Sequence, residues 1–314
     1  MKTRLDETAK GVFIISATPF DDDGAVDHES LSRLTEFYLG HGVSGITILG
    51  MMGEAPKLTA EESRAVITTV LQRVNGKVPV VVGVSNAGLD NLVSLSKFAM
   101  DAGAAGVMVA PGAALKTETG VIASFATIAE RLPDVPLVYQ DFPLSTAMPI
   151  SAAGFVRLVD EVPSVVMLKH EDWPGLTKLS AIRDLSAARG TRRVSILTGN
   201  GGLYLPQELA RGADGAMTGF AFPEMLVQVV RRHQGGDRDG AEDLFDAYLP
   251  IVRHEQQPGF GLAVRKEILR RRGVIASAAT RAPGPALDAT GHKELDRLMA
   301  RLETRLLSLG AVPA

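Results

Sequence analysis

The chain has 314 residues, 46% of them hydrophobic and 22% charged, with a formal charge of −3 at neutral pH. That balance suits a folded globular protein and excludes the low-hydrophobicity, high-charge composition of a disordered chain. It leaves no basic surplus to hold a phosphate backbone, so nucleic acid is not an expected partner, and with no cysteine present, disulfides, thiolate catalysis and cysteine-ligated zinc or iron–sulfur centres are excluded.

The first ten residues, Met1 to Lys10, carry charges of both signs and lead into a short apolar run that stops at Thr18-Pro19. This is not the pattern of a secretory signal. No stretch approaches the ~18 consecutive apolar residues of a membrane helix. A cytoplasmic protein without a membrane partner is expected.

From that first run the chain settles into a rhythm. Short β-branched or apolar segments begin near Val12, Gly45, Pro79, Gly106, Pro136, Val165, Val194 and Gly215. Their spacing averages about 29 residues, the length of one strand-plus-helix unit. Helical-period stretches lie between them. Leu31, Leu34 and Tyr38 share one face of the first stretch, and Val66, Val70 and Val74 share one face of the second. Thr59 with Glu62 three residues later has the spacing of a capping box. Continuous apolar strands alternating with helices imply a parallel sheet covered by helices, and eight such units close most economically into an α/β (β/α)8 TIM barrel. An open doubly wound sheet is the competing arrangement. After the eighth strand, helices are expected over residues 237–253 and 260–272, then a Gly/Pro/Ala-rich link over 273–291 and a last helix over 292–307. The expected organisation is a catalytic barrel over residues 1–236 and a C-terminal helical extension, 237–314, packed on it.

In such a barrel the chemistry belongs to the C-terminal ends of the strands. These ends carry Ser16-Ala17-Thr18, Gly50-Met51-Met52-Gly53-Glu54, Ser85-Asn86, Pro111-Gly112, Tyr139-Gln140-Asp141, Lys169-His170-Glu171-Asp172-Trp173, Gly199-Asn200-Gly201-Gly202 and Thr218-Gly219. Alternation along the sixth strand puts Val165, Met167 and Lys169 on one side and Val166, Leu168 and His170 on the other. Lys169 is either an ion-paired structural lysine, with Glu171 as its partner, or an amine nucleophile. A lysine amine is almost wholly protonated at neutral pH, so imine chemistry requires surroundings that take its proton away. Tyr139, on the neighbouring strand at the corresponding depth, is either packing or a proton shuttle. The two together at adjacent strand ends say more than either alone.

Of the six histidines, only His170 falls at a strand end, so metal-dependent aldol chemistry, which needs several ligands there, is not expected. The Gly199-Asn200-Gly201 turn lacks the third glycine of a dinucleotide fingerprint. Its backbone N–H groups suit a carboxylate or a hydroxyl instead.

These strand ends resemble the dihydrodipicolinate synthase and N-acetylneuraminate lyase superfamily of class I aldolases, and the resemblance runs from Thr18-Pro19-Phe20 to the helical tail. It implies a (β/α)8 barrel, a homo-oligomer (tetramer or dimer), and a lysine imine with pyruvate or another 2-oxo acid in place of any cofactor or metal. Carried over by position, Lys169 forms the imine and Tyr139 moves the proton. The loop with Gly50, Met51, Met52 and Gly53 receives the carboxylate, and Thr18, Gly199, Asn200 and Gly201 are further substrate-binding residues. Three departures argue against the synthase reaction itself. Met51 and Met52 stand where relatives carry hydroxyl residues. Pro111-Gly112-Ala113-Ala114 replaces a tyrosine loop, and no arginine follows the fifth strand. Either Asp141, His170, Glu171 or Asp172 supplies the missing acid–base group, or the stretch after Lys169 is a loop that continues the strand, with Glu171 in a salt bridge and Trp173 packed on the rim. The reading is a Schiff-base lyase, an aldolase or a dehydratase. The alternative is a catalytically lapsed barrel that binds a 2-oxo acid as a regulatory protein, a reading favoured by the two methionines and opposed by Lys169 with Tyr139.

Overall fold

The structure, a computed structural model, describes residues 4–310 except Ala147; the last four residues of the expected extension, 311–314, lie outside the described residues. Eight strands, β1 Gly11–Ile15, β2 Gly45–Ile48, β3 Val80–Gly83, β4 Gly106–Val109, β5 Leu137–Asp141, β6 Val165–His170, β7 Ser195–Thr198 and β8 Gly215–Thr218, form a closed parallel barrel in sequence order. Helices alternate with them: α1 His28–Gly40, α2 Ala60–Val74, α3 Leu89–Ala102, α4 Glu118–Arg131, a short α5 Pro143–Thr146, α6 Ala152–Glu161, α7 Gly175–Arg189, α8 Leu205–Ala210 and α9 Pro223–Gln234. The chain ends in α10 Arg238–Glu255, α11 Gly261–Arg271 and α12 Ala289–Ser308. Each end of these last helices lies within three residues of the sequence expectation. The architecture is a (β/α)8 TIM barrel with additional C-terminal helices. Among the described residues no helix is long and apolar enough to cross a membrane.

The strands are buried on both sides, so they read as unbroken apolar runs. Phe13, Ile15, Val81, Met108, Val138, Met167, Leu197 and Met217 fill the barrel interior. Their strand neighbours, such as Ile14, Val82, Val107, Leu168 and Ile196, pack outward under the helices. The expected helix faces are the buried ones: Leu31, Leu34 and Tyr38 on α1, and Val66, Val70 and Val74 on α2. The Thr59–Glu62 capping box is formed in both directions at the start of α2.

One register detail matters for the site. Leu137 pairs with Val165 but Val138 pairs with Met167, so one residue of β6 is skipped. A bulge of this kind shifts the alternation by one residue. Val165 therefore faces the helices and Val166 the interior, the reverse of the simple alternation, which holds from Met167 onward.

Candidate active site

Beyond the bulge, β5 and β6 run in register, with Tyr139 beside Leu168, Gln140 beside Lys169 and Asp141 beside His170. The inward residues Val138 and Met167 belong to the barrel interior. By the two-residue period Gln140 and Lys169 stand above them at the mouth. Tyr139 shares the outward side with Leu168. Its ring sits 5.0 Å from that of Phe125 on α4 and 5.8 Å from that of Phe155 on α6. Its hydroxyl is buried without a partner, and burial, with Asp141 adding to it, pushes the phenol far up. The placement of Tyr139 beside the lysine is thus corrected. Gln140, which sequence reasoning passed over, is the β5 residue that faces the mouth. A signal was present: it is a polar residue one strand period after Val138 in an otherwise apolar run.

Lys169 Nζ lies 3.0 Å from Glu171 Oε2, with the two side chains only 6% and 10% exposed. Gln140 Nε2 donates to the same oxygen at 2.8 Å. The backbone fixes this carboxylate from both sides. Glu171 N–H donates to Asp141 O at 2.9 Å, Gly199 N–H donates to His170 O at 2.9 Å, and Asn200 Nδ2 donates to Glu171 O at 3.2 Å. A β-carbon at position 199 would stand 2.3 Å from Glu171 Cγ, so the glycine is what lets the glutamate lie across the end of β7. An amine and a carboxylate in contact, shielded from water and braced by an amide, form an arrangement that can exchange a proton at a reacting carbonyl.

The glycine turn after β7 spends three of its N–H groups inside the protein. Gly199 N–H is taken by His170 O, Gly202 N–H by Gly199 O at 2.9 Å, and Gly201 N–H by Thr218 Oγ1 at 2.7 Å. With those donors used inside the protein, the expectation that Gly199 and Gly201 hold substrate through the backbone is corrected. The turn shapes and braces Glu171 instead.

After β2, Gly50 caps a single 3-10 turn, Met51–Gly53. Thr18 Oγ1 donates to Gly53 O at 2.6 Å, so Thr18 is a strut under this loop. Met52 packs on the barrel interior, whereas Met51 is 40% exposed. The N–H groups at the start of such a turn have no partner within it. Glu54 is buried and in the left-handed region, and it anchors the loop to the C-terminal helices. Its Oε1 pairs with Lys266 Nζ of α11 at 2.7 Å, and its Oε2 with Lys57 Nζ at 2.8 Å. The Lys266 ammonium also stands 4.4 Å from the Phe20 ring centroid, and burial pulls its pKa down to about 8 against the opposing pull of Glu54. A cleft of about 620 Å3 opens from the mouth beside this loop. It is bordered by Gly50, Met51, Ser85, Asn86, Met108 and Gln140. Among the described residues no group of three or more His, Asp or Glu is placed to share a metal ion.

Comparison with known proteins fits this geometry. The dihydrodipicolinate synthetase family matches residues 8–302. The chain is 30% identical over 302 residues to L-2-keto-3-deoxyarabonate dehydratase of Azospirillum brasilense, covering 95% of this chain and 96% of that protein. It is 33% identical over 303 residues to 4-hydroxy-tetrahydrodipicolinate synthase of Sorangium cellulosum, covering 94% and 96%. Among solved structures, dihydrodipicolinate synthase from Rhodopseudomonas palustris is 47% identical with a TM-score of 0.93 over 95% of this chain and 99% of that one. YagE from E. coli K12, solved in complex with pyruvate, is 25% identical with a TM-score of 0.85 over 94% and 98%. A match across nearly the whole chain, on the same barrel, makes this protein a member of the dihydrodipicolinate synthetase family and a Schiff-base-forming lyase of 2-oxo acids.

Proposed function

We propose that the protein is a dehydratase of 2-oxo acids whose tail is hydroxylated in the manner of a 3-deoxy sugar acid, with Lys169 as the imine-forming residue and Glu171 as its acid–base partner. The 3.0 Å contact between these two buried groups carries the reading. Lys169 passes a proton to Glu171, and its freed amine attacks the C2 carbonyl. Glu171 carries the proton to the carbinolamine oxygen, which leaves as water and yields the imine. With the imine as electron sink, Glu171 removes a C3 proton to give the enamine. Loss of the C4 hydroxyl as water, protonated by the same carboxyl, completes the elimination, and hydrolysis of the imine returns Lys169. Gln140 holds Glu171 toward the lysine throughout, the place where Tyr139 was expected to act.

The start of the turn at Gly50, Met51, Met52 and Gly53 is the proposed seat of the substrate carboxylate, with Thr18 keeping the loop in place. Ser85, Asn86 and Gln140 offer neutral hydrogen-bonding groups to a hydroxylated tail. The similarity to a 2-keto-3-deoxyarabonate dehydratase supports this choice. So does the sequence after β5, Phe142-Pro143-Leu144-Ser145, which offers no arginine for a second acidic substrate.

The test is borohydride reduction in the presence of pyruvate or of a 2-oxo-3-deoxypentonic acid, read by peptide mass spectrometry and by product formation. A reduced adduct on Lys169, lost in Lys169→Ala, is expected with both acids. Glu171→Gln is expected to lower turnover of the pentonic acid about 100-fold or more, the scale of a lost general acid–base group. An unmodified Lys169 with every acid would leave the lapsed, ligand-binding barrel as the better reading.

A further inference from the structure

Behind the lysine, on the side of β6 turned toward the helices, lies a second cluster of ionisable groups that the reaction does not touch. His170 and Asp141 are each 1% exposed. His170 Nε2 stands 2.9 Å from Gly175 O at the start of α7 and donates to it. A β-carbon at position 175 would come within 3.1 Å of that nitrogen, so the start of the helix packs closely on the ring. The other ring nitrogen, Nδ1, faces Asp141 Oδ2 at 3.5 Å. That same carboxylate oxygen accepts from Lys178 Nζ of α7 at 2.6 Å, and Lys178 reaches Asp172 Oδ2 at 2.8 Å. From α8, Glu208 adds a further buried carboxyl within electrostatic range of the ring. Three atoms of this cluster, His170 Nδ1, Asp141 Oδ1 and Glu208 Oε2, are buried without a hydrogen-bond partner.

Buried polar atoms without partners are costly, and apolar side chains would fill the same space between sheet and helix more cheaply. What distinguishes this cluster is its register. Gln140 and Lys169 are paired across β5 and β6 on the inside, and the next residue of each strand, Asp141 and His170, are paired on the outside. Glu171 follows at once and takes its backbone bond from Asp141 O. The outer pair is therefore the mirror of the inner one, one residue further along.

We propose that Asp141 and His170 form a coupled pair of positioning residues for the Lys169–Glu171 site. Held between Asp141 and the Gly175 carbonyl, His170 sets the rotation of the strand end that presents Lys169 on one side of it and Glu171 on the other. Lys178 holds Asp141 for that task. The inference rests on Lys169 and Glu171 being the reacting pair.

The experiment follows borohydride trapping of pyruvate by the full chain, as a rate at saturating pyruvate and as the pyruvate concentration giving half that rate, with folding checked by circular dichroism. Asp141→Asn and His170→Gln are each expected to lower the saturating rate about 10- to 100-fold and to leave the half-saturating concentration within about 3-fold. The double variant is expected to be no slower than the slower single one, because the pair acts as a unit. His170→Leu should fall furthest, since Gln keeps a donor for the Gly175 carbonyl. Lys178→Met, milder and further from the strand, should show a smaller loss of the same kind. Wild-type trapping at Lys169 with folded single variants within 2-fold of it, or with losses that multiply in the double variant, would overturn the positioning role alone. Absence of trapping in the wild type would overturn the lyase reading and this inference with it.

Discussion

A phenol hydroxyl buried among Phe125, Phe155 and the outer face of the barrel, with nothing to bond, gives Tyr139 the role of a packing residue. Replacing it with phenylalanine removes an oxygen and no contact. Tyr139→Phe is therefore expected to keep turnover and borohydride trapping within about 2-fold. Stability to urea should hold or rise by about 1 kcal/mol, the cost of leaving a buried polar group unpaired. A 100-fold loss of turnover would restore the proton-shuttle role to this residue and take it from Glu171. The contrast with Gln140 is instructive, because the two are chain neighbours on one strand and their sides of the sheet decide everything about them. An amide at 2.8 Å from the Glu171 carboxylate has a task at the site, while an aromatic ring one position earlier has none there.

At the scale of an element, the end of β7 is shaped to admit Glu171, the residue just after β6. Glycine stands at position 199 with φ of −106° and ψ of −135°. The clash of its missing β-carbon with Glu171 Cγ at 2.3 Å is sufficient reason. In Gly199→Ala, Glu171 must move away from Lys169. We expect kcat to drop about 10-fold or more, with KM changed less and the fold intact by circular dichroism. Wild-type kcat in this variant would show that Glu171 does not need its present position. The loop after β2 is secured in another way, by ion pairs reaching across to the C-terminal extension. Glu54 with Lys266 and Lys57, and Glu62 with Arg281, tie the start of the cleft to α11 and to the link before α12. Arg281 holds the Glu62 carboxyl down to about 2. The extension thus acts as a brace for the loop after β2.

At the scale of the whole molecule, Glu208 is one of the groups that couple stability to pH. Burial against β7 raises its carboxyl from the ordinary 4.5 to about 7, with Thr198 and His170 opposing the rise. Below pH 4.5 the folded and unfolded states both carry the proton, and the buried carboxyl costs little. Between 4.5 and 7 only the folded state holds it, so this group makes stability fall as pH rises, and above 7 the loss is complete. Glu208→Gln removes the titration. The variant should match the parent near pH 4.5 and exceed it at pH 8 by up to about 3 kcal/mol, because a tenfold change in proton affinity is worth about 1.4 kcal/mol. Urea unfolding of the two proteins at both pH values checks this. A difference that stays the same at the two values would mean that Glu208 does not titrate as its burial requires.

Strand and helix periods are local properties, and they determined most of the architecture. Eight apolar runs spaced by helical stretches admit few arrangements other than a closed parallel barrel, and the capping box at Thr59 and the buried faces of α1 and α2 follow from side-chain spacing alone. The sequence likewise determined which strand ends carry reactive groups, Lys169 and its polar neighbours among them. What it did not contain was the phase of one strand against the next. A single skipped residue of β6, opposite the step from Leu137 to Val138, sets β5 against β6. That offset, a matter of packing between residues nearly thirty positions apart, pairs Tyr139 with Leu168 on the outward side and Gln140 with Lys169 on the other. The uses of the Gly199 and Gly201 donors and the bond from Gln140 to Glu171 were also decided only by the tertiary structure. Hydrogen bonds between separate strand ends depend on how the closed barrel brings those ends together, and no local period encodes that.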